Sequence, residues 1–254
     1  MNQTLIELDR VSFNRGTTTI FSDVSMTLKK GDRLALLGSN GTGKTTLLQL
    51  LVGLNKPTSG NLVAFDQERT IEKDFFSVRQ KVGLLFQDSD DQLFCPTVIE
   101  DVAFGPINLG KSEAEARDIA LATLAHLGLS DLADAITHRL SGGQKRLVAL
   151  ATVLAMSPDV LLLDEPTNAL DDVSRERLLT LLESLDLTMI IVSHDQSVIE
   201  RLANRAMIMK DGTLVEAVMH RHPHQHSHSH LHIHAKSDLD QHDPSTHTDH
   251  HLAD

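Results

Sequence analysis

Four short apolar runs lie within the first 192 residues, and none of them alternates with polar positions. They occupy residues 33–38, 81–86, 160–163 and 189–192. Continuous apolar runs of this length are typical of parallel strands that are covered by helices on both faces. Helical patterns lie between them, at about residues 43–54, 112–127, 142–156 and 173–185. Strands that alternate with helices predict an α/β fold with a mostly parallel core sheet.

The two ends of the chain show other patterns. Residues 5–13 and 21–28 alternate, which predicts antiparallel strands with one exposed face, and Asp211-Gly212 between two apolar runs is a strong hairpin signal. From about residue 219 the chain carries 12 of its 15 histidines and few apolar residues. We therefore predict a folded domain over residues 1–217 and a disordered, His-rich tail over residues 218–254.

The amino-acid composition argues against some classes of function and favours others. The net charge is -12, aromatic residues make up 3%, and there is no Trp or Tyr, which argues against a nucleic-acid-binding surface. The single cysteine excludes an internal disulfide and favours a reducing cytoplasm. The first residues lack a secretory signal, and no apolar stretch approaches the ~18 residues of a membrane helix. The chain is therefore expected to be soluble, with any membrane role exerted through a partner.

Residues 38–45 read GSNGTGKT, which matches the phosphate-loop pattern G-x-x-x-x-G-K-[ST] between a predicted strand and a predicted helix. Its glycines let backbone N–H groups face phosphate oxygens at the helix N-terminus. Lys44 would bridge the β- and γ-phosphates, and the Thr45 hydroxyl would ligate Mg²⁺. The predicted nucleotide-binding residues here are Gly38, Ser39, Asn40, Gly41, Thr42, Gly43, Lys44, Thr45 and Thr46.

A second candidate site lies at residues 160–165, which read VLLLDE. A buried strand would deliver Asp164 to the carboxyl edge of the sheet, where nucleotides bind in open α/β folds. Asp164 suits the Mg²⁺ shell, and Glu165 can accept a proton from an attacking water. An acidic pair at a strand end is weak evidence alone, so the prediction rests on its combination with the phosphate loop.

Residues 140–144 read LSGGQ and open a helical run, so the helix N-terminus would present N–H groups and a positive end to an anion. Together with GSNGTGKT and VLLLDEPT, this motif resembles the ATP-binding cassette family over residues 1 to about 217. The resemblance implies a P-loop NTPase-type cassette that hydrolyses ATP with Mg²⁺. It also implies an N-terminal antiparallel β part and an α-helical signature subdomain at about residues 88–157.

The resemblance assigns further roles. Gln87 looks like the glutamine that senses the γ-phosphate, ligates Mg²⁺ and contacts the transmembrane partner. His194 looks like the histidine that contacts the γ-phosphate, and residues 168–171 look like the loop that crosses between subunits. The chain would act as a dimer, most simply a homodimer, in which the signature of one subunit meets the phosphates held by the other. That signature comprises Ser141, Gly142, Gly143 and Gln144.

Arg15 marks a departure from the family pattern, because an aromatic residue that stacks on adenine usually stands at its position. The Arg15 guanidinium can stack on the base instead. The alternative is that base recognition is loose.

The stretch from Gln87 to Gly110 includes DDQLFCPTVIEDVAFGP and resembles the ATPases of energy-coupling-factor importers, especially those for cobalt and nickel. The resemblance implies integral membrane transport subunits as partners, contacted at the cytoplasmic face of the cell membrane. Two alternatives remain: an importer of a vitamin such as biotin, and a metal-storage or metal-delivery protein that acts through its tail. The intact Lys44, Asp164, Glu165 and His194 count against the second alternative.

The tail offers an independent indication of metal, because histidine occupies every even position from 220 to 234. Alternate residues of an extended chain share a face about 6.6 Å apart, and neutral imidazole suits Ni²⁺, Co²⁺ and Zn²⁺. A purification tag is an alternative, although tags are usually uninterrupted runs of histidine. The candidate ligands are His220, His222, His224, His226, His228, His230, His232 and His234.

Overall fold

The computed structural model describes residues 3–223 and 229–235, and from residue 220 onward it describes the backbone alone. The strands are β1 (Thr4–Arg15), β2 (Thr18–Lys29), β3 (Arg33–Leu37), β4 (Ser59–Ala64), β5 (Gln67–Glu68), β6 (Val82–Leu85), β7 (Val160–Asp164), β8 (Thr188–Val192), β9 (Arg205–Lys210), β10 (Thr213–Pro223) and β11 (Ser229–Ala235). The α-helices are α1 (Lys44–Leu51), α2 (Phe75–Arg79), α3 (Val98–Asn108), α4 (Glu113–His126), α5 (Gly142–Leu154), α6 (Asp172–Ser184) and α7 (Gln196–Leu202).

The central sheet has seven strands in the order β11-β10-β9-β3-β8-β7-β6. The five strands from β9 to β6 are parallel, which confirms the predicted α/β core. Alternate residues of β7 pack into the hydrophobic cores on the two faces of this sheet. Leu161 and Leu163 pack with α3–α7, whereas Val160 and Leu162 pack on the opposite face. Burial on both faces explains why these strands are uninterrupted apolar runs.

The opposite face of the central sheet is covered by α1 and by a second, antiparallel sheet in the order β2-β1-β4-β5. Strand β1 alternates over part of its length, with Ile6 and Leu8 buried and Glu7 and Asp9 exposed. The predicted antiparallel N-terminal part is therefore confirmed. This sheet brings the end of β1 and the start of β2 close to the loop that follows β3.

A helical layer of α3, α4 and α5 lies within residues 88–157. Each of these three helices begins with a capping box, in which the first side chain and the side chain three residues later satisfy each other's backbone N–H groups. The pairs are Thr97 with Glu100, Ser112 with Glu115, and Ser141 with Gln144. The hydrophobic pattern did not predict α3, although the Thr97-x-x-Glu100 box marks its start.

The predicted Asp-Gly hairpin is confirmed between β9 and β10, where Asp211 (φ 51°) and Gly212 (φ 73°) both adopt left-handed conformations. Beyond it the structure differs from the predicted disorder, because residues 218–223 and 229–235 belong to the antiparallel pair β10–β11. Apolar residues alternate with the histidines here, which gives the hairpin one apolar face. Residues 224–228 and 236–254, including His224, His226 and His228, lie outside the described residues.

Within the part of the chain that the structure describes, no helix has the length and apolarity needed to cross a membrane.

Candidate functional site

The loop between β3 and α1 requires glycine at two of its positions. Gly38 and Gly43 have φ angles of 142° and 103°. A Cβ atom at Gly38 would lie 2.4 Å from the Met209 carbonyl oxygen, and one at Gly43 would lie 2.7 Å from the Ile20 side chain. Because Gly43 provides no capping side chain for α1, the first N–H groups of this helix are available to an anion.

Lys44 is 7% exposed and lies against its own loop. Its Nζ donates to the carbonyl oxygens of Gly38 (2.6 Å) and Ser39 (2.9 Å). Burial lowers the pKa of Lys44, while the charges of Glu165 and Asp164 oppose that shift. The ammonium is therefore held by neutral acceptors, which phosphate oxygens can replace with a stronger, charge-assisted bond.

Asp164 ends β7 at the carboxyl edge of the sheet and is 3% exposed. Burial raises the pKa of this carboxyl, opposed by a hydrogen bond from the Thr45 side chain and by the charges of Lys44 and Arg146. The structure thus brings together a hydroxyl and a carboxylate from two distant segments. Hard oxygen ligands of this kind fit Mg²⁺, so the pair meets the chemical requirement of the predicted ion.

Glu165 has a left-handed backbone (φ 45°), and its N–H donates to the Val192 carbonyl oxygen at 2.9 Å. Its carboxylate meets His194 twice: Oε2 accepts from the His194 N–H at 3.4 Å, and Oε1 lies 3.4 Å from His194 Nε2. Burial raises the pKa of Glu165, and the contacts with His194 oppose the shift. The two residues meet because β7 and β8 are neighbouring parallel strands whose ends share an edge.

One cleft of about 530 Å³ joins most of the predicted nucleotide-site residues. Arg15, at the end of β1, lies at this cleft with Ile20. The other predicted residues that line it are Asn40, Gly41, Gly43, Lys44, Thr45, Thr46, Gln87, Asp164, Glu165 and His194. The cleft is also lined by Asn168 and Val192. Gly38, Ser39 and Thr42 belong to the same loop but do not line the cleft.

The signature residues stand apart from this cleft. Ser141 Oγ accepts from the Gln144 N–H at 3.3 Å, and Gln144 Oε1 accepts from the Ser141 N–H at 2.9 Å. A Cβ atom at Gly143 would lie 2.1 Å from Ser174 Oγ, so glycine lets α5 approach the start of α6. Gly142 lines a neighbouring cleft of about 480 Å³, whereas Ser141, Gly143 and Gln144 line neither cleft.

Arg146 is a residue of this region that the motifs did not identify. It is 2% exposed, and its guanidinium donates to backbone carbonyl oxygens of two separate segments. At the end of β7 it reaches Pro166 (2.7 Å), Asp164 (3.0 Å) and Glu165 (3.1 Å). After β6 it reaches Gln87 at 3.2 Å and also Phe86.

This guanidinium fastens the segments that carry Gln87 and Glu165 to helix α5. Burial lowers the pKa of Arg146 to about 10, with the charges of Asp164, Asp88 and Glu165 opposing the shift, so it stays protonated at neutral pH. Its bonds span up to 60 residues of sequence, and no local motif encodes them. A basic residue two positions after LSGGQ, within the predicted helical run, was the available signal.

Comparison with known proteins places these features in a family. A family model described as ABC transporter matches residues 21–168, more than half of the chain. An ABC transporter ATP-binding protein of Brucella suis biovar 1 (strain 1330) is 55% identical over 218 residues, covering 86% of this chain and 91% of the relative. The cobalt import ATP-binding protein CbiO of Rhodobacter capsulatus is 48% identical over 204 residues, covering 79% and 73%.

Solved structures show the same architecture. CbiO1 from Clostridium perfringens, described as part of the ABC transporter complex cbiONQ, superposes with a TM-score of 0.75 at 35% identity, covering 84% of this chain and 87% of that one. A dimeric, post-hydrolysis structure of the cassette MJ0796 bound to ADP and Pi superposes with a TM-score of 0.74 at 29% identity, covering 83% and 96%.

Proposed function

This chain belongs to the family of ABC transporter ATPases, and from that premise we propose that it powers a membrane importer of cobalt or nickel ions. The observation that carries the ATPase part of the proposal is the cleft that joins Lys44, Thr45, Asp164, Glu165 and His194. Three further elements belong to the proposal: the role of each residue, the second subunit, and the cargo.

In the proposed site, the α1 N-terminus and Lys44 hold the β- and γ-phosphates of ATP. Thr45 and Asp164, with Gln87, hold Mg²⁺, which when bound neutralises phosphate charge. Arg15 lies beside Ile20 at the same cleft, where its planar guanidinium can stack on the adenine ring.

Glu165 acts as general base for hydrolysis. The carboxylate takes a proton from water as the water oxygen bonds to the γ-phosphorus, and the bond from phosphorus to the bridging oxygen of ADP breaks. His194 positions that carboxylate through its N–H and its ring, both at 3.4 Å. The raised pKa of Glu165 supports this role, because a more basic carboxylate accepts a proton more readily.

The working unit is a dimer in which Ser141 and Gly143 of one subunit contact the nucleotide held by Lys44 of the other. Ser141 and Gly143 do not line the nucleotide cleft of their own chain, which supports this arrangement. Mixing Lys44→Ala protein with Ser141→Arg protein tests it, because half of the heterodimer sites would then be intact. ATP-dependent association should persist in the mixture and be absent from either variant alone. Equal association in all three samples would contradict the shared site.

The membrane subunits dock within the stretch from Gln87 to Gly110, on a surface formed by Phe94, Phe104 and Ile107. These side chains are 65%, 44% and 43% exposed, and the two rings meet edge to face at 4.8 Å. The buried carboxylate of Asp101 holds this surface in shape by accepting from the N–H groups of Phe94 and Cys95. An ordered apolar surface of this kind suits an apolar helix end of an integral membrane protein.

Changing Phe94 and Phe104 to Asp tests the docking surface. The double variant should retain ATP binding and lose co-purification with the membrane subunits, whereas Val173→Asp, an exposed apolar position on α6, should retain both. Co-purification of the Phe94/Phe104 variant at the native level would contradict the docking surface.

Two observations support cobalt or nickel as the cargo. The stretch from Gln87 to Gly110, which contains the docking surface, resembles importers of this class, and the Rhodobacter capsulatus relative is a cobalt import protein by name. Uptake of labelled cobalt, nickel and biotin, each measured separately in cells with the native chain, without it, or with Lys44→Ala, decides among cargoes. Metal uptake should require the native chain. Loss of biotin uptake with unchanged metal uptake would overturn the metal cargo.

A further inference from the structure

The register of β10 and β11 places histidine opposite histidine twice. His220 is the Cα partner of His232, and His222 is the partner of His230. Directly opposed residues in an antiparallel pair have Cβ atoms about 4.5–5.5 Å apart, and residues two positions apart share a face. These four histidines therefore occupy one face of the hairpin, where His234 joins them opposite Val218.

The other face of the hairpin carries the apolar positions. Met219 pairs with Ile233, and Ala217 pairs with Ala235. Ala217 and Met219 pack against the core that lies under the helices, so this face contacts the body of the protein and the histidines occupy the opposite one. A slip of one residue would exchange the two faces, so the packing of Ala217 and Met219 opposes loss of the His–His pairing.

We propose that the β10–β11 hairpin is a binding site for one late transition-metal ion, at the place where its register juxtaposes His220 with His232 and His222 with His230. Neutral imidazole favours Ni²⁺, Cu²⁺, Zn²⁺ and Co²⁺, whereas the oxygen ligands Thr45 and Asp164 favour Mg²⁺. The chain would thus sort two kinds of metal by ligand type. Among the residues whose side chains the structure describes, no group of three metal-ligating residues competes for this ion.

The test is a calorimetric titration of the full-length protein with NiCl₂ alone. The wild type should bind one ion more tightly than any others. The variant His220→Thr/His232→Thr removes one register pair and keeps residues that favour strands, so its Kd for this ion should rise at least tenfold. The matched control, His250→Thr/His251→Thr, removes as many histidines outside the hairpin and should leave the Kd within twofold.

Equal effects of the two double variants would overturn the proposal, since they would mean that histidines bind the ion without regard to register. Absence of nickel binding by the wild type would overturn it too. Unchanged ATP hydrolysis by each variant shows that the cassette is still folded. Binding should also weaken as pH falls below about 6.5, because protonated imidazole is not a ligand. The proposal does not depend on the cargo of the transporter.

Discussion

Lys44 and Arg146 are two buried cations that approach the same end of β7 from different regions of the molecule. Lys44 is held by two carbonyl oxygens of its own loop, five and six residues away in sequence. Arg146 is held by carbonyl oxygens 18 to 20 and 59 to 60 residues away. Burial lowers the pKa of both.

Lys44 can therefore exchange its hydrogen-bond partners, whereas Arg146 cannot. The acceptors of Lys44 are in a half-buried or exposed loop, so a phosphate or water can replace them. Releasing Arg146 would detach its acceptors around Phe86, Gln87 and residues 164–166 together. We infer that Lys44 acts in ligand binding, and that Arg146 keeps the ends of β6 and β7 in register with α5.

The largest expected effect comes from the carboxylate that interacts with both cations. Glu165→Gln preserves shape but cannot accept a proton, so hydrolysis should fall by roughly 10²–10⁴-fold. ATP affinity should stay near the native value, because Lys44 still holds the phosphates. Single-turnover hydrolysis and equilibrium nucleotide binding separate the two effects, and native turnover by this variant would refute the role of Glu165.

Arg146→Met tests the fixed cation. The change leaves buried carbonyl oxygens without donors, which should lower the free energy of unfolding by about 3 kcal/mol. Lys145→Met is the matched control: this neighbour pairs with the exposed Asp90 at 2.6 Å, an arrangement worth at most about 1 kcal/mol. Urea unfolding without nucleotide measures both, and similar small losses would show that Arg146 does not fasten the two segments.

Lys44→Ala, unlike Arg146→Met, should alter nucleotide binding and leave the stability of the nucleotide-free protein nearly unchanged. Water can satisfy the Gly38 and Ser39 carbonyl oxygens, so unfolding without nucleotide should change by less than about 1 kcal/mol. At an ATP concentration 100 times the native Kd, wild-type protein gains about 2.7 kcal/mol of stability, and the variant should lose most of it. Urea unfolding with and without Mg-ATP gives this difference, and full stabilisation of the variant would contradict the comparison.

The smallest effect is expected when residues 220–254 are removed. This truncation keeps Ala217 and Met219, which pack against the core, and it removes no residue of either cation site. ATP hydrolysis should stay within about twofold of native, since a change remote from the site rarely exceeds ~0.5 kcal/mol. A larger loss in steady-state hydrolysis would mean that the tail acts on the nucleotide site.

The sequence predicted those features whose causes are local or periodic. The phosphate loop, the run that ends in Asp164 and the Asp211-Gly212 turn each follow from neighbouring residues. Helix α3 was not predicted because Gly105 and Pro106 interrupt its helical pattern. Arg146 and the β10–β11 pairing escaped because their partners are distant in sequence or set by packing against the core. The roles of the individual site residues stay predictions.

The capping boxes of α3, α4 and α5 differ in the side chain that closes them, and this difference changes the electrostatic potential at the start of α5. Helices α3 and α4 close their boxes with the carboxylates of Glu100 and Glu115, which neutralise the positive end of each helix dipole. Helix α5 closes its box with the uncharged amide of Gln144. The same backbone N–H groups are satisfied, but no negative charge lies at the start of α5. Helix α5 thus keeps an attractive electrostatic potential for an anion arriving from outside the chain, and a glutamate of nearly identical shape would cancel it.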